Sequence, residues 1–126
     1  MEIFVYGTLM QGLQRASALQ GSRFLGEGTI QASLYDLGSY PGIAEGSDRV
    51  SGEVYEIDDA TLQVLDAIEG YDKDEPESSL YYRKQVTAIM NNNAPQQVET
   101  YYYSLSIKNG LLIKAGDYRM YIEAQH

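Results

Sequence analysis

Through most of this chain apolar and polar positions alternate at a period of two, and only one stretch carries the three- and four-residue spacing of a helix. Ile3-Phe4-Val5-Tyr6 is a short β-branched and aromatic run stopped by Gly7, the pattern of a buried strand ending in a tight turn. Met10–Leu19 has weak helical or irregular character between Gly12 and Gly21. Arg23–Ala32 and Leu34–Leu37 read as strands of a meander interrupted by Gly26, Gly28 and Gly38, with Tyr40-Pro41-Gly42 as a turn. Val50–Ile57 predicts another strand, with Val50, Gly52 and Val54 on one face and Ser51, Glu53, Tyr55 and Ile57 on the other. Tyr81–Met90 and Val98–Leu105 alternate like an antiparallel pair about the turn-rich Asn91-Asn92-Asn93-Ala94-Pro95. Tyr118–Ile122, beyond Asn109-Gly110 and Gly116-Asp117, predicts a last short strand.

The helical spacing begins after Asp58 or Asp59, either of which can serve as N-cap, and sets Leu62, Leu65 and Ile68 on one face with Val64 beside them. Gly70 is placed to end it. Many strands around one main helix predict an α+β domain, its antiparallel or mixed sheet curled into a small barrel. At 126 residues the chain has the size of a single domain, 1–126.

Composition narrows the chemistry. There is no Cys, and His126 is the sole histidine, at a chain end expected to fray; thiolate nucleophiles, disulfides, His bases and His- or Cys-ligated metals are not expected. Nine basic against eighteen acidic residues leave a net charge of −9, which opposes binding to nucleic acid or anionic lipid. No apolar run approaches the ~20 residues of a membrane span, and the N-terminus lacks the basic and apolar segments of a secretory signal, so a cytoplasmic protein is expected. Gly21, Gly26 and Gly28 match no phosphate-binding or dinucleotide fingerprint, and no cofactor is indicated. Asp72-Lys73-Asp74-Glu75-Pro76-Glu77 begins like a calcium loop, but its sixth and twelfth positions are Glu77 and Arg83 instead of Gly and Glu, so a mobile acidic loop is expected.

A catalytic acid or base must then be Asp, Glu, Lys or Tyr. Glu69 falls in the last helical turn, where the negative end of the macrodipole raises a carboxyl pKa; the same position also suits a carboxylate pointing into water. In Tyr6-Gly7-Thr8-Leu9 the backbone freedom of Gly7 can turn successive N–H groups toward a carboxylate or developing oxyanion, or the segment can be an ordinary strand-to-loop turn. Twelve of the fourteen aromatics are Tyr, crowded at Tyr81-Tyr82 and Tyr101-Tyr102-Tyr103; most fit a barrel wall with hydroxyls at its rim, and a minority fit a polar pocket. Arg83 is the basic residue best placed to turn inward and pair with a carboxylate, although an exposed position is the more common case for a strand Arg.

Tyr6-Gly7-Thr8-Leu9 after the first strand, Gly52-Glu53-Val54-Tyr55 in a middle strand, Leu65-Asp66 followed by Glu69-Gly70, and Tyr81 one residue from Arg83 together resemble the gamma-glutamylcyclotransferase-like (avirulence-induced-gene-like) superfamily, nearest its small gamma-glutamylamine cyclotransferase branch. The resemblance runs from about Ile3 to Tyr103. It implies a small mixed barrel with a packed helix and a cavity, without metal or cofactor. Glu69 would be the essential glutamate, and Tyr6, Gly7, Thr8, Leu9 and Tyr81 would bind substrate, with Arg83 supporting the fold. The implied partner is a small gamma-glutamyl amide or amine, cyclised to 5-oxoproline with release of the amine; a non-catalytic metabolite-binding module of the same fold is the alternative. The stretch Tyr71–Leu80 is longer than in the shorter members, which bears on substrate size. The pattern does not specify the leaving amine or an oligomeric state.

Overall fold

The computed structural model describes residues 1–75 and 78–125; the expectations for Pro76, Glu77 and His126 fall outside them. Strands β1 (Glu2–Val5), β2 (Arg23–Asp36), β3 (Pro41–Glu56), β4 (Tyr81–Met90) and β5 (Pro95–Tyr103) hydrogen-bond in the order β3-β1-β5-β4-β2, and β2 pairs again with β3. That second pairing closes a five-stranded barrel. It is mixed, since β1 runs parallel to β5 at Ile3 and Glu99 while the other pairs are antiparallel. The two-residue β6 (Leu111–Leu112) adds to the far end of β2. Helix α1 (Asp59–Ile68) crosses the outside of the barrel, and a short α2 (Tyr118–Glu123) follows β6. No helix among the described residues is long and apolar enough to cross a membrane.

The period of two sorts the apolar residues into two clusters. Phe4, Val50, Val54, Val98 and Tyr102 fill the barrel interior. Their neighbours Ile3, Val5, Tyr55, Ile57 and Tyr101 face outward and pack with Leu65 of α1 and Leu19 of a 3₁₀ turn at Ala16–Leu19. Short strands such as β1 are therefore buried on both faces, which explains why Ile3-Phe4-Val5-Tyr6 is continuously apolar.

Several expectations shift in detail. Arg23–Ala32 and Leu34–Leu37 form one long strand: pairing with β3 shifts register between Gln31, opposite Arg49, and Ser33, opposite Ala44, without ending β2. The turn expected at Tyr40-Pro41-Gly42 lies just upstream, where the Leu37 amide donates to the Tyr40 carbonyl and Gly38 has φ +106°. Pro41 already belongs to β3. On α1 Leu65 is fully buried, whereas Val64 is 50% exposed, one helical step off the packed face. Tyr118–Ile122 is not a strand: the Asp117 side chain accepts from the Met120 amide and starts α2, so the local cap overrides the β-preference of Tyr and Ile.

Candidate active site

The cleft of interest opens where the end of β1, the starts of β3 and β4 and the C-terminal end of α1 converge. Each element delivers its residue for a local reason. Asp58 caps α1 through the Thr61 amide. At the other end the Gly70 amide donates to the Ala67 carbonyl and the Tyr71 amide to the Asp66 carbonyl, the paired bonds of a Schellman motif. Gly70 takes φ +66°, a conformation that costs a side-chain-bearing residue energy. Glu69, immediately before this reversal, is the last residue with helical dihedrals and lines the cleft.

Asp66, one turn earlier, fixes the azimuth of α1. Its carboxylate accepts from Arg83 Nε at 3.1 Å and Nη2 at 3.3 Å and from the Tyr101 hydroxyl at 2.5 Å. Arg83 Nη1 also donates to Glu99 on β5. The expected pairing of Arg83 with a carboxylate is present, but on the outer face of the barrel, where it ties helix to barrel outside the cleft.

Tyr6, Gly7, Thr8, Leu9 and Tyr81 line the same cleft as Glu69. The loop is turned by a Met10 amide bond to the Gly7 carbonyl at 3.1 Å and tied by the Arg15 amide to the Thr8 carbonyl at 2.8 Å. Among the described residues the Thr8 and Leu9 amides have no backbone partner. The requirement for glycine at position 7 differs from the one expected. Gly7 is not left-handed; a Cβ there would lie 2.7 Å from Pro41 Cγ, so the need is for space against β3.

The electrostatics separate the cleft residues. Burial pushes the Glu69 carboxyl up to about 7, with the Arg15 guanidinium pulling it back. Desolvation, more than the helix dipole, is the cause. Burial likewise raises the Tyr6 and Tyr81 hydroxyls, and the nearby Glu69 charge adds to both. These phenols stay neutral and are already committed as donors, Tyr6 to the Tyr101 carbonyl at 2.7 Å and Tyr81 to the Pro41 carbonyl at 2.6 Å. The arrangement therefore holds one carboxyl that exchanges its proton near neutral pH, beside unpaired backbone donors.

Sequence reasoning missed eight lining residues, polar Arg15 and Tyr101 among them. Arg15 comes from the irregular stretch after β1 and has no spacing signal; Tyr101 was visible only as one of a tyrosine cluster. Among the described residues no group of three or more His, Cys, Asp or Glu is arranged to hold a metal ion.

Residues 3–120 match the family model described as "Gamma-glutamyl cyclotransferase, AIG2-like". A Methanocaldococcus jannaschii protein carrying the gamma-glutamylcyclotransferase name is 32% identical over 94% of this chain and 96% of its own length. The gamma-glutamylcyclotransferase family protein YtfP of Escherichia coli is 45% identical over 69 residues, 54% of this chain. That match spans 61% of the curated YtfP sequence; the YtfP solution structure, 34% identical, superposes over 93% of this chain and 95% of its own with a TM-score of 0.67. A mouse AIG2-like protein, 25% identical, superposes over 93% of this chain and 86% of its own with a TM-score of 0.78. The chain belongs to the gamma-glutamyl cyclotransferase, AIG2-like family.

Proposed function

We propose that this protein cyclises a gamma-glutamyl amide or amine, releasing 5-oxoproline and a free amine, with Glu69 as general base and then general acid. The observation that carries this reading is a buried carboxyl, pushed up to about 7, in the same cleft as the Thr8-Leu9 backbone, whose amides have no backbone partner among the described residues. The substrate brings its own nucleophile. Its α-amine and γ-carbonyl lie in one molecule, so folding the chain back supplies the effective molarity of an intramolecular attack.

The Glu69 carboxylate takes a proton from the α-ammonium, and the freed amine lone pair forms a C–N bond to the γ-carbonyl carbon. The carbonyl oxygen gains negative charge, and amides of the Gly7–Leu9 loop stabilise it. The tetrahedral species then collapses: the original amide C–N bond breaks as the leaving nitrogen receives the proton from Glu69, the oxygen's electron pair re-forms the C=O bond, and the ring nitrogen gives its surplus proton to the regenerated Glu69 carboxylate, from which it leaves with the amine as ammonium. Arg15, a cation lining the same cleft, is suited to the substrate's α-carboxylate. Tyr6 and Tyr81 shape the wall, their hydroxyl protons held on backbone carbonyls.

Incubation with a panel of gamma-glutamyl amines and dipeptides, assayed for 5-oxoproline, tests the proposal. Wild type is expected to turn over at least one of them and Glu69→Gln none. Turnover by Glu69→Gln at the wild-type rate refutes the role of Glu69, and tight binding of the panel without product favours a metabolite-binding module.

A further inference from the structure

Glu53 is 5% exposed, on the face of β3 turned away from the barrel interior. A strand there could carry an apolar residue, and a buried carboxylate is costly unless its oxygens are occupied. Both are. Oε1 accepts from the Gln11 backbone amide at 2.9 Å and the Tyr55 hydroxyl at 3.0 Å, and Oε2 accepts from Arg119 Nη2 at 3.1 Å. Gln11 lies two residues beyond Leu9. The other ties in this stretch, Met10 to Gly7 and Arg15 to Thr8, are internal to it; the bond to Glu53 fastens it to the barrel.

Arg119 arrives from α2 in a set orientation. The Ser51 amide donates to the Gly116 carbonyl at 2.7 Å, and a Cβ on Gly116 would overlap the Arg49 carbonyl, so the segment before α2 lies flush on β3. Asp117 then caps α2, and a Cβ on Gly12 would sit 3.9 Å from Arg119 Nη1. The guanidinium therefore lies beside both Gly12 and the Glu53 carboxylate, whose other oxygen holds the Gln11 amide.

We infer that α2 holds the Gly7–Leu9 loop in its working position through a relay from Arg119 to Glu53 to the Gln11 amide. Arg119 and Glu53 are on this view positioning residues for the cyclisation, and that part rests on the proposed function. Neither lines the cleft. Their effect is on where the Thr8 and Leu9 amides point, and a displacement of about 1 Å of such donors can cost ~100-fold in rate.

The test is Arg119→Met in the full chain, read by amide hydrogen exchange and by 5-oxoproline release. Exchange at Gln11 should quicken about tenfold while Val98 and Thr100 in β5 keep wild-type protection, the mark of a local opening. For a substrate that wild type turns over, kcat should fall about tenfold with KM within about threefold, and Arg119→Lys should recover part of the loss. Unchanged exchange at Gln11, or equal quickening in β5, overturns the relay; wild-type kcat in Arg119→Met overturns its link to turnover. A wild type without turnover sinks the cyclotransferase reading alone, because the exchange measurement still decides the relay. If Arg119→Met does not fold, Arg119→Gln, which keeps a side-chain donor, is measured the same way.

Discussion

Glu69 should make the protein less stable as pH rises, and Glu69→Gln should remove that loss. The carboxyl moves from an ordinary value of 4.5 to about 7 on folding, because burial penalises its charged form. The folded state therefore holds the proton more tightly than the unfolded one. Below pH 4.5 both states are protonated and there is no penalty; between 4.5 and 7 it accumulates, and above 7 it is fully present. A difference of about 2.5 units at 1.36 kcal/mol each is ~3 kcal/mol, and residual solvent contact of this partly buried side chain brings the expectation to about 2 kcal/mol. Gln mimics the protonated form at every pH. Urea denaturation of both proteins at pH 4, 6 and 8 should give a gap near zero at pH 4 that widens in favour of Glu69→Gln as pH rises. The same ionisation should appear as an acid limb in kcat/KM, activity rising with pH through about 7. A gap independent of pH would show that the carboxyl is not desolvated, and wild type being the more stable at pH 8 would show that attraction to Arg15 outweighs burial.

Two other substitutions probe the cleft walls. Gly7→Ala should destabilise by about 1–3 kcal/mol through overlap with Pro41 Cγ, and Pro41→Ala in the same chain should recover part of it; additive effects in that double-mutant cycle would refute the contact. Arg15→Gln should raise KM about tenfold for substrates with a free α-carboxylate and much less for their α-carboxamides. It should also move the acid limb to higher pH, since Arg15 lowers the Glu69 pKa, and an unmoved limb in a folded variant argues that the guanidinium is not felt at Glu69.

What the sequence disclosed follows from the range of each interaction. Asp58, the Leu62-Leu65-Ile68 face and Gly70 are short-range signals, and α1 forms where they place it. The alternation of β4 and β5 was equally legible, whereas the pairing of Arg83 was one of two open readings, decided by Asp66 of α1 reaching it from 17 positions away. Closure of the barrel was expressed only as the two-sided apolarity of β1. The α2 segment misled because Tyr and Ile favour strands, whereas the deciding contact was a cap from Asp117. Gly7 was legible as a required glycine for the wrong reason, since Pro41 lies 34 positions away in sequence and touches it only after β1 and β3 align. Arg15 and Arg119 carried no local signal at all; each acquires its neighbours from distant strands and loops.

The position of β1 has a consequence for how the molecule is made. Glu2 pairs with Glu56 and Ile3 with Glu99, so β1 is synthesised well before the partners that flank it. Contacts of such long separation are slow to form, and until β5 appears the Ile3-Phe4-Val5-Tyr6 run has an unpaired edge and no barrel to bury it. The loop that begins at Tyr6 inherits this delay. Synthesis must pass residue 99 before β1 is flanked on both sides, which makes the cleft a product of the end of folding and makes an interrupted chain prone to aggregate through its own first strand.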